Sequence, residues 1–154
     1  MALKGDMKVV SDDISFFLNE AAERGGVACI STAGSGVALD QSKALVTYKA
    51  NPSGCVPIGV LLNDMVDIDQ SKYQINIYKD EVQKGGKVTL LTNGWVVTNK
   101  IEAGSTPTAG ANAYLSNSGL VTATSLGAAA TPLVGRFYST KDEDGYAKLV
   151  VNLP

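Results

Sequence analysis

Histidine is absent from this 154-residue sequence. Because histidine is the usual general base at neutral pH and the commonest metal ligand, serine and cysteine triads and most zinc sites would lack their central member. Cysteine is scarce as well: Cys29 and Cys55 are not spaced as a CxxC pair, and in a reducing cytosol free thiols are favoured over a disulfide. The sequence therefore predicts no catalytic residue, no metal site and no cofactor.

Two further absences restrict the partners. No apolar run approaches the roughly 18–20 residues that a membrane span needs, and the N-terminus lacks the basic, apolar and small-residue order of a signal peptide. The 13 basic and 15 acidic residues leave a net charge of −2, which gives no strong attraction to phosphate backbones or anionic lipid. We therefore expect a protein made and kept inside a cell, with neither nucleic acid nor membrane as a partner.

The composition predicts one folded domain. Hydrophobic residues make up 45% of the chain and charged residues 18%, which is enough apolar material for a core and too little charge for a disordered chain. Domains commonly contain about 100–200 residues, so a chain of this length is expected to form a single core.

The N-terminal quarter predicts an arm followed by a helix. Residues 1–10 show no periodicity, as expected of an N-terminal arm or an edge strand. Ser11 or Asp12 can then cap a helix over residues 12–24, which Gly25 and Gly26 can end. Four apolar residues between these signals recur at i, i+3, i+4 and i+7 and would share one helical face: Ile14, Phe17, Leu18 and Ala21.

The remainder reads as short β-strands joined by turns rich in glycine, asparagine, aspartate, serine and proline. Candidate strands are 27–31, 44–49, 57–62, 73–79, 87–92, 95–101, 112–116, 119–124, 133–139 and 146–152. Asn93-Gly94 and the turn 142–145 are expected to form hairpins, and the similarity of 91–98 to 115–122 suggests two similar hairpins. The predicted fold is mainly β, a compact β-sandwich or barrel-like domain over residues 11–154, with the short helix and the arm at its N-terminus.

Acidic residues and the single tryptophan are the remaining candidates for chemistry. The acidic clusters are Asp12 with Asp13, Asp64 with Asp67 and Asp69, and Asp142 with Glu143 and Asp144. All fall in predicted caps or turns, so backbone capping is favoured over a glycosidase acid–base pair or calcium ligation. Trp95 is expected to be a half-buried core residue, with an interface or sugar-stacking role as the alternative.

Several stretches of the chain resemble the decoration (cement) proteins that coat the heads of tailed bacteriophages, most of all those of cyanophages. They are PIGVLLNDMVDID at 57–69, YKDEVQKGGKVTLL at 78–91, PLVGRF at 132–137, DEDGYAKLVVNL at 142–153 and FFLNEAAERGG at 16–26. The likeness extends from about residue 10 to residue 153, and it consists of glycine-punctuated strands rather than of a catalytic motif.

The resemblance implies a non-enzymatic structural protein made in the bacterial host cytoplasm and carried on the capsid exterior. Such a protein would bind the outside of the expanded head, often as a homotrimer, and clamp neighbouring major capsid protein subunits. A clamp needs an arm or edge strand that can add to a neighbouring sheet. The predicted capsid or inter-subunit contacts are therefore Ala2, Leu3, Lys4, Met7, Val9 and Trp95. Alternatives are a tail-tube, head-completion or fibre-base protein and, with less support, a carbohydrate-binding domain that uses Trp95 with aspartates.

Overall fold

The computed structural model describes residues 3–32, 45–48, 51–66, 81–82, 84–125 and 131–153. Nearly all regular structure in these residues is β. The strands are β1 (Lys8–Asp13), β2 (Phe17–Leu18), β3 (Ala22–Glu23), β4 (Val27–Thr32), β5 (Leu45–Thr47), β6 (Pro57–Val66), β7 (Glu81–Val82), β8 (Lys87–Thr98), β9 (Asn112–Leu115), β10 (Val121–Thr122), β11 (Leu133–Phe137) and β12 (Ala147–Asn152). A single 3-10 turn covers Asn117–Gly119, and no described helix has the length and apolar character needed to cross a membrane.

Five strands close a ring, which makes the fold barrel-like. β8 pairs with β6, β6 with β4, β4 with β5 and β5 with β2, and β2 returns to β8 through Phe17 and Lys87. Side chains from β2, β4, β6 and β8 and from the β3–β7 pair form one buried cluster, which contains Leu18, Ala22, Ala28, Leu61, Val82, Val88 and Leu90. The prediction of a mainly β, barrel-like domain is confirmed.

Beyond this ring the sheet continues from β8 through β12, β11, β9 and β10. Apolar side chains that alternate along these strands, together with side chains from β4 and β6, supply the larger core cluster, in which Leu91, Val96, Phe137, Leu149 and Val151 are fully buried. β8 contributes to both clusters and pairs with four other strands, so it is the central element of the fold.

The predicted hairpin at Asn93-Gly94 is wrong, because β8 runs straight through it as one 12-residue strand. Asn93 pairs with Asn152 and Gly94 with Val151 on β12, and β1 pairs with the same part of β8. Gly94 has a φ of +142°, and a Cβ there would lie 2.1 Å from the Lys8 carbonyl oxygen. The glycine therefore permits the close approach of β1 rather than a turn.

The predicted helix over residues 12–24 is also wrong, since those residues form the end of β1 and the short strands β2 and β3. Of the four residues assigned to one helical face, Phe17 and Leu18 are buried, whereas Ile14 is 46% exposed and Ala21 is exposed. Phe17 and Leu18 pair with β5, and Phe17 also pairs with β8. Sheet pairing with distant strands has overridden the local helical spacing.

Two other hairpin predictions are confirmed. β11 and β12 pair antiparallel across the 142–145 turn, in which the Asp142 carboxylate accepts hydrogen bonds from the backbone N–H groups of Asp144 and Tyr146 at 3.0 and 2.8 Å. β9 and β10 pair antiparallel around the 3-10 turn. The candidate strand 73–79 lies outside the described residues, and the division at residue 10 stays a prediction, with β1 extending across it.

Candidate functional site

The surface most suited to an interaction is formed by residues 3–14, called here the N-terminal segment. Its strand, β1, pairs with β8, and among the described strands it has no other partner. Residues 8–12 are all exposed, which is unusual for a strand that lies in a sheet. Register shifts on both sides of Ser11 interrupt the pairing, as expected at a β-bulge. Within the described part of the chain, one edge of β1 is therefore open to pairing.

Exposed apolar side chains accompany this open edge. Met7 is 44% exposed, Val9 42%, Val10 61% and Ile14 46%. Of the seven large apolar residues that are exposed within the described parts of the chain, these four lie in one stretch of eight residues. Such a concentration is a mark of an interaction surface, because scattered single apolar residues are the ordinary case.

Backbone contacts fix the start of the N-terminal segment on β8. The Lys4 N–H donates to the Val97 carbonyl at 2.9 Å, and Leu3 forms an isolated antiparallel bridge with Thr98. Leu3 also packs against the larger core cluster. The segment is thus held in place along β8 while its other side faces solvent.

Trp95 links the N-terminal segment to β8 and β12. Its indole N–H donates to the Asp6 carboxylate at 3.3 Å, and the ammonium groups of Lys148 and Lys8 lie 4.5 and 5.4 Å from the ring centroid. Lys148 also forms an ion pair with Asp6 at 3.6 Å. Each cation–π contact at an exposed site contributes about 0.5–1 kcal/mol. The ring is already engaged by the protein's own cations, which counts against its use as an open platform for a sugar.

A second polar contact joins the segment to the β11–β12 turn. The Lys4 ammonium donates to the Asp142 carboxylate at 2.6 Å and lies 4.5 Å from the ring centroid of Tyr146. The hydrogen bond from Lys4, followed by that from the Tyr146 N–H, lowers the pKa of Asp142. The same hydrogen bond raises the pKa of Lys4. The two side chains are 41% and 42% exposed, so solvent screens the pair, which orients the segment more than it stabilises the fold.

The structure brings most of the predicted contact residues together. Leu3, Lys4, Met7 and Val9 lie in the segment and Trp95 lies on the strand beneath it, whereas Ala2 lies outside the described residues. Sequence reasoning missed Val10 and Ile14, and it missed Asp6 and Lys148, which hold Trp95 in place. Val9 and Val10 are adjacent and would point to opposite faces of a regular strand, so the sequence alone does not show that both are exposed, as every residue from 8 to 12 is.

The other candidate residues form no site in the described part of the chain. Asp64 contributes backbone to β6, while its side chain and the whole of Asp67 and Asp69 lie outside the described residues. Cys29 and Cys55 are free thiols. No group of three or more cysteine, aspartate or glutamate side chains that could hold a metal ion occurs within the residues described.

Comparison with known proteins identifies the family to which the chain belongs. The family model described as structural cement protein (E217 gp24/Pam3 gp6) matches residues 4–152. The chain belongs to this phage cement protein family. It is therefore a structural component of a phage virion that associates with capsid proteins, and the family's role is structural rather than enzymatic. No curated protein matches the chain.

Proposed function

We propose that this cement protein binds the outer surface of a phage capsid and stabilises the expanded head by bridging major capsid protein subunits. The observation that carries this proposal is the open edge of β1 with its row of exposed apolar side chains, held on a rigid β domain. Membership of the cement family supports capsid subunits as the partner of that surface.

The edge of β1 offers two kinds of interaction to a capsid subunit. The backbone N–H and C=O groups on the edge that no described strand covers can pair with a further strand from the neighbour, which supplies affinity without strict sequence demands. Met7, Val9, Val10 and Ile14 can be buried at the same time, and each Å² of apolar surface removed from water contributes about 25 cal/mol. Hundreds of such modest contacts over a shell would add up to a large stabilisation.

Within the predicted contact set, the positions of the side chains support a division of roles. Met7 and Val9 are exposed and face a partner directly. Leu3, Lys4 and Trp95 are engaged within the chain and position the segment, and Ala2 precedes it. A homotrimer, made in the host cytoplasm and added to the capsid exterior, completes the proposal.

The test adds purified protein to heads that lack it and measures saturable binding and the heat resistance of the particles. Val10→Asp is the informative variant, and Val56→Asp is its matched control, because these valines are 61% and 57% exposed in different parts of the molecule. We expect Val10→Asp to weaken binding on the order of tenfold or more, since an apolar contact is replaced by a charge that must be desolvated. Val56→Asp should bind like the original chain.

Absence of saturable binding by the unmodified chain would overturn the proposed function. Equal binding by Val10→Asp and Val56→Asp would show that β1 is not part of the interface. The number of copies per particle separates this function from the alternatives, because decoration requires hundreds of copies on the head, whereas a head-completion or fibre-base protein is present in few copies and a tail-tube protein in a number linked to the tail.

A further inference from the structure

A second surface, three strands away from β1, has features of a binding site. An open depression of about 250 Å³ lies on the outer face of β9, β11 and β12. Side chains that line it include Asn112, Leu133, Arg136, Tyr138, Val150 and Asn152. We call it the Arg136 depression. Its volume is below the roughly 300–1,000 Å³ of small-molecule pockets, so it suits protruding side chains of a protein partner.

Two exposed apolar or aromatic residues border the Arg136 depression. Leu133 is 54% exposed and Tyr138 is 58% exposed. Tyrosine and arginine are among the residues most enriched at the energetic centres of protein interfaces. Tyrosine beside arginine, with a leucine at the margin, has the composition of such a centre.

The charge of the Arg136 depression selects the partner. Arg136 is exposed and, among the described residues, forms no ion pair with a carboxylate. The other polar side-chain groups in the lining are the amides of Asn112 and Asn152 and the hydroxyl of Tyr138, and none of them is a carboxylate. A planar guanidinium with free donors matches a carboxylate in two-point geometry. The fitting ligand therefore carries an aspartate or glutamate with an apolar residue next to it.

The Arg136 depression and the N-terminal segment lie on one continuous face. Directly paired residues run across five strands in the order Asn112, Arg136, Val150, Trp95 and Lys8. Side chains of directly opposed residues share a face of the sheet. Three strand spacings separate Arg136 from Lys8, which is roughly 14 Å at about 4.8 Å per strand. Two separate protein segments can therefore bind side by side.

We propose that the Arg136 depression is a second capsid-binding surface, which accepts an acidic side chain and its apolar neighbour from a capsid subunit other than the one bound at β1. This inference rests on the proposed function, because it assigns the partner of the Arg136 depression through capsid binding. It supplies the second contact that a bridge between two subunits requires, and linking two weak contacts in one molecule raises the overall affinity.

The first experiment measures binding to undecorated heads by Arg136→Glu and Arg136→Lys. Lys84→Glu is the matched control, since Lys84 is an exposed cation in the turn before β8, away from the Arg136 depression. We expect Arg136→Glu to weaken binding at least about tenfold and Arg136→Lys to weaken it less, because lysine keeps the charge but loses the two-point geometry. Lys84→Glu should bind like the original chain. All three variants should have the same melting temperature as the original chain.

The second experiment identifies the occupant. A photo-reactive phenylalanine derivative at position 138 is cross-linked on decorated heads, and the captured peptide is sequenced by mass spectrometry. A capsid peptide with an aspartate or glutamate close to the cross-link supports the inference. A peptide from a second copy of this chain overturns it.

The two proposals can fail separately. If the original chain and Arg136→Glu bind heads equally well, the Arg136 depression is not a capsid contact and the proposed function survives. If the original chain does not bind saturably, both proposals fall.

Discussion

β1 and β8 are hydrogen-bonded neighbours in one sheet, yet they are stabilised in different ways. In β8, Val88, Leu90, Leu91, Val96 and Thr98 are fully buried. In β1 every residue from 8 to 12 is exposed. Both strands have paired backbones, so comparing them separates the contribution of strand pairing to stability from the contribution of side-chain burial.

The difference teaches that sheet membership alone does not make an element part of the core. β8 cannot leave without exposing both core clusters. β1 is held by backbone hydrogen bonds and by the contact of Lys8 with the Trp95 ring, and the residues just before it by surface ion pairs such as Asp6–Lys148. Elements with few buried apolar contacts open at a lower free energy than the whole domain. We therefore expect β1 to detach while β8 and its other partners stay folded.

The largest expected effect comes from truncating a buried side chain of β8. Leu91→Ala should lower the free energy of unfolding by about 2–5 kcal/mol, because a fully buried leucine leaves a cavity. Val10→Ala on β1 should change it by less than about 0.5 kcal/mol, since Val10 is largely exposed. Denaturant unfolding of both variants measures the contrast. Similar losses in the two variants would show that β1 is part of the cooperative core.

An intermediate effect is expected where the two strands touch. In Gly94→Ala the new Cβ would lie 2.1 Å from the Lys8 carbonyl oxygen, at a φ of +142° that side chains rarely adopt. We expect the free energy of unfolding to fall by about 1–3 kcal/mol. Relative to the original chain, amide hydrogen exchange should speed up more in β1 than in β12. Gly5→Ala is the control, because a Cβ there has no heavy atom within 4 Å and should leave both quantities unchanged. Unaltered exchange in β1 of the Gly94 variant would contradict the close approach.

The smallest expected effect is a pH dependence of the N-terminal segment. The pKa of Asp142 is lowered by its hydrogen bond from Lys4, so this contact is present above the ordinary aspartate pKa and is lost as the pH falls through the lowered value. The pKa of Lys4 is raised, so its side of the pair is lost only when the pH rises through a value above 10.5. NMR titration of Lys4 shows this acid transition, and Asp142→Asn should abolish it. A transition that persists in Asp142→Asn would have another origin.

Strands bounded by turn residues were predictable from the local sequence. Residues whose conformation depends on a distant strand were not. Val27–Thr32, Pro57–Val66 and Ala147–Asn152 form strands where β-favouring residues lie between turn residues. The helix prediction failed because the spacing of Phe17 and Leu18 also fits a helical face, although they pair with β5. The turn prediction at Gly94 failed because this glycine allows the close approach of β1. Both errors concern residues whose partners are distant in sequence.

The candidate surfaces were predictable only in part. An N-terminal arm or edge strand followed from the lack of periodicity in residues 1–10, and its contact role followed from the resemblance to cement proteins; the structure places exposed apolar residues there. Nothing local in the sequence singles out Arg136, Leu133 or Tyr138. They form a depression because β9, β11 and β12 bring Asn112 and Val150 beside them.

Composition and local pattern determined by themselves that this chain would form a β-rich domain without histidine chemistry. The tertiary structure alone decided that β8 is a single central strand and which residues stand in line across five strands. Turn chemistry and strand propensity act over a few residues, whereas strand order and register depend on which distant segments bury each other's apolar side chains.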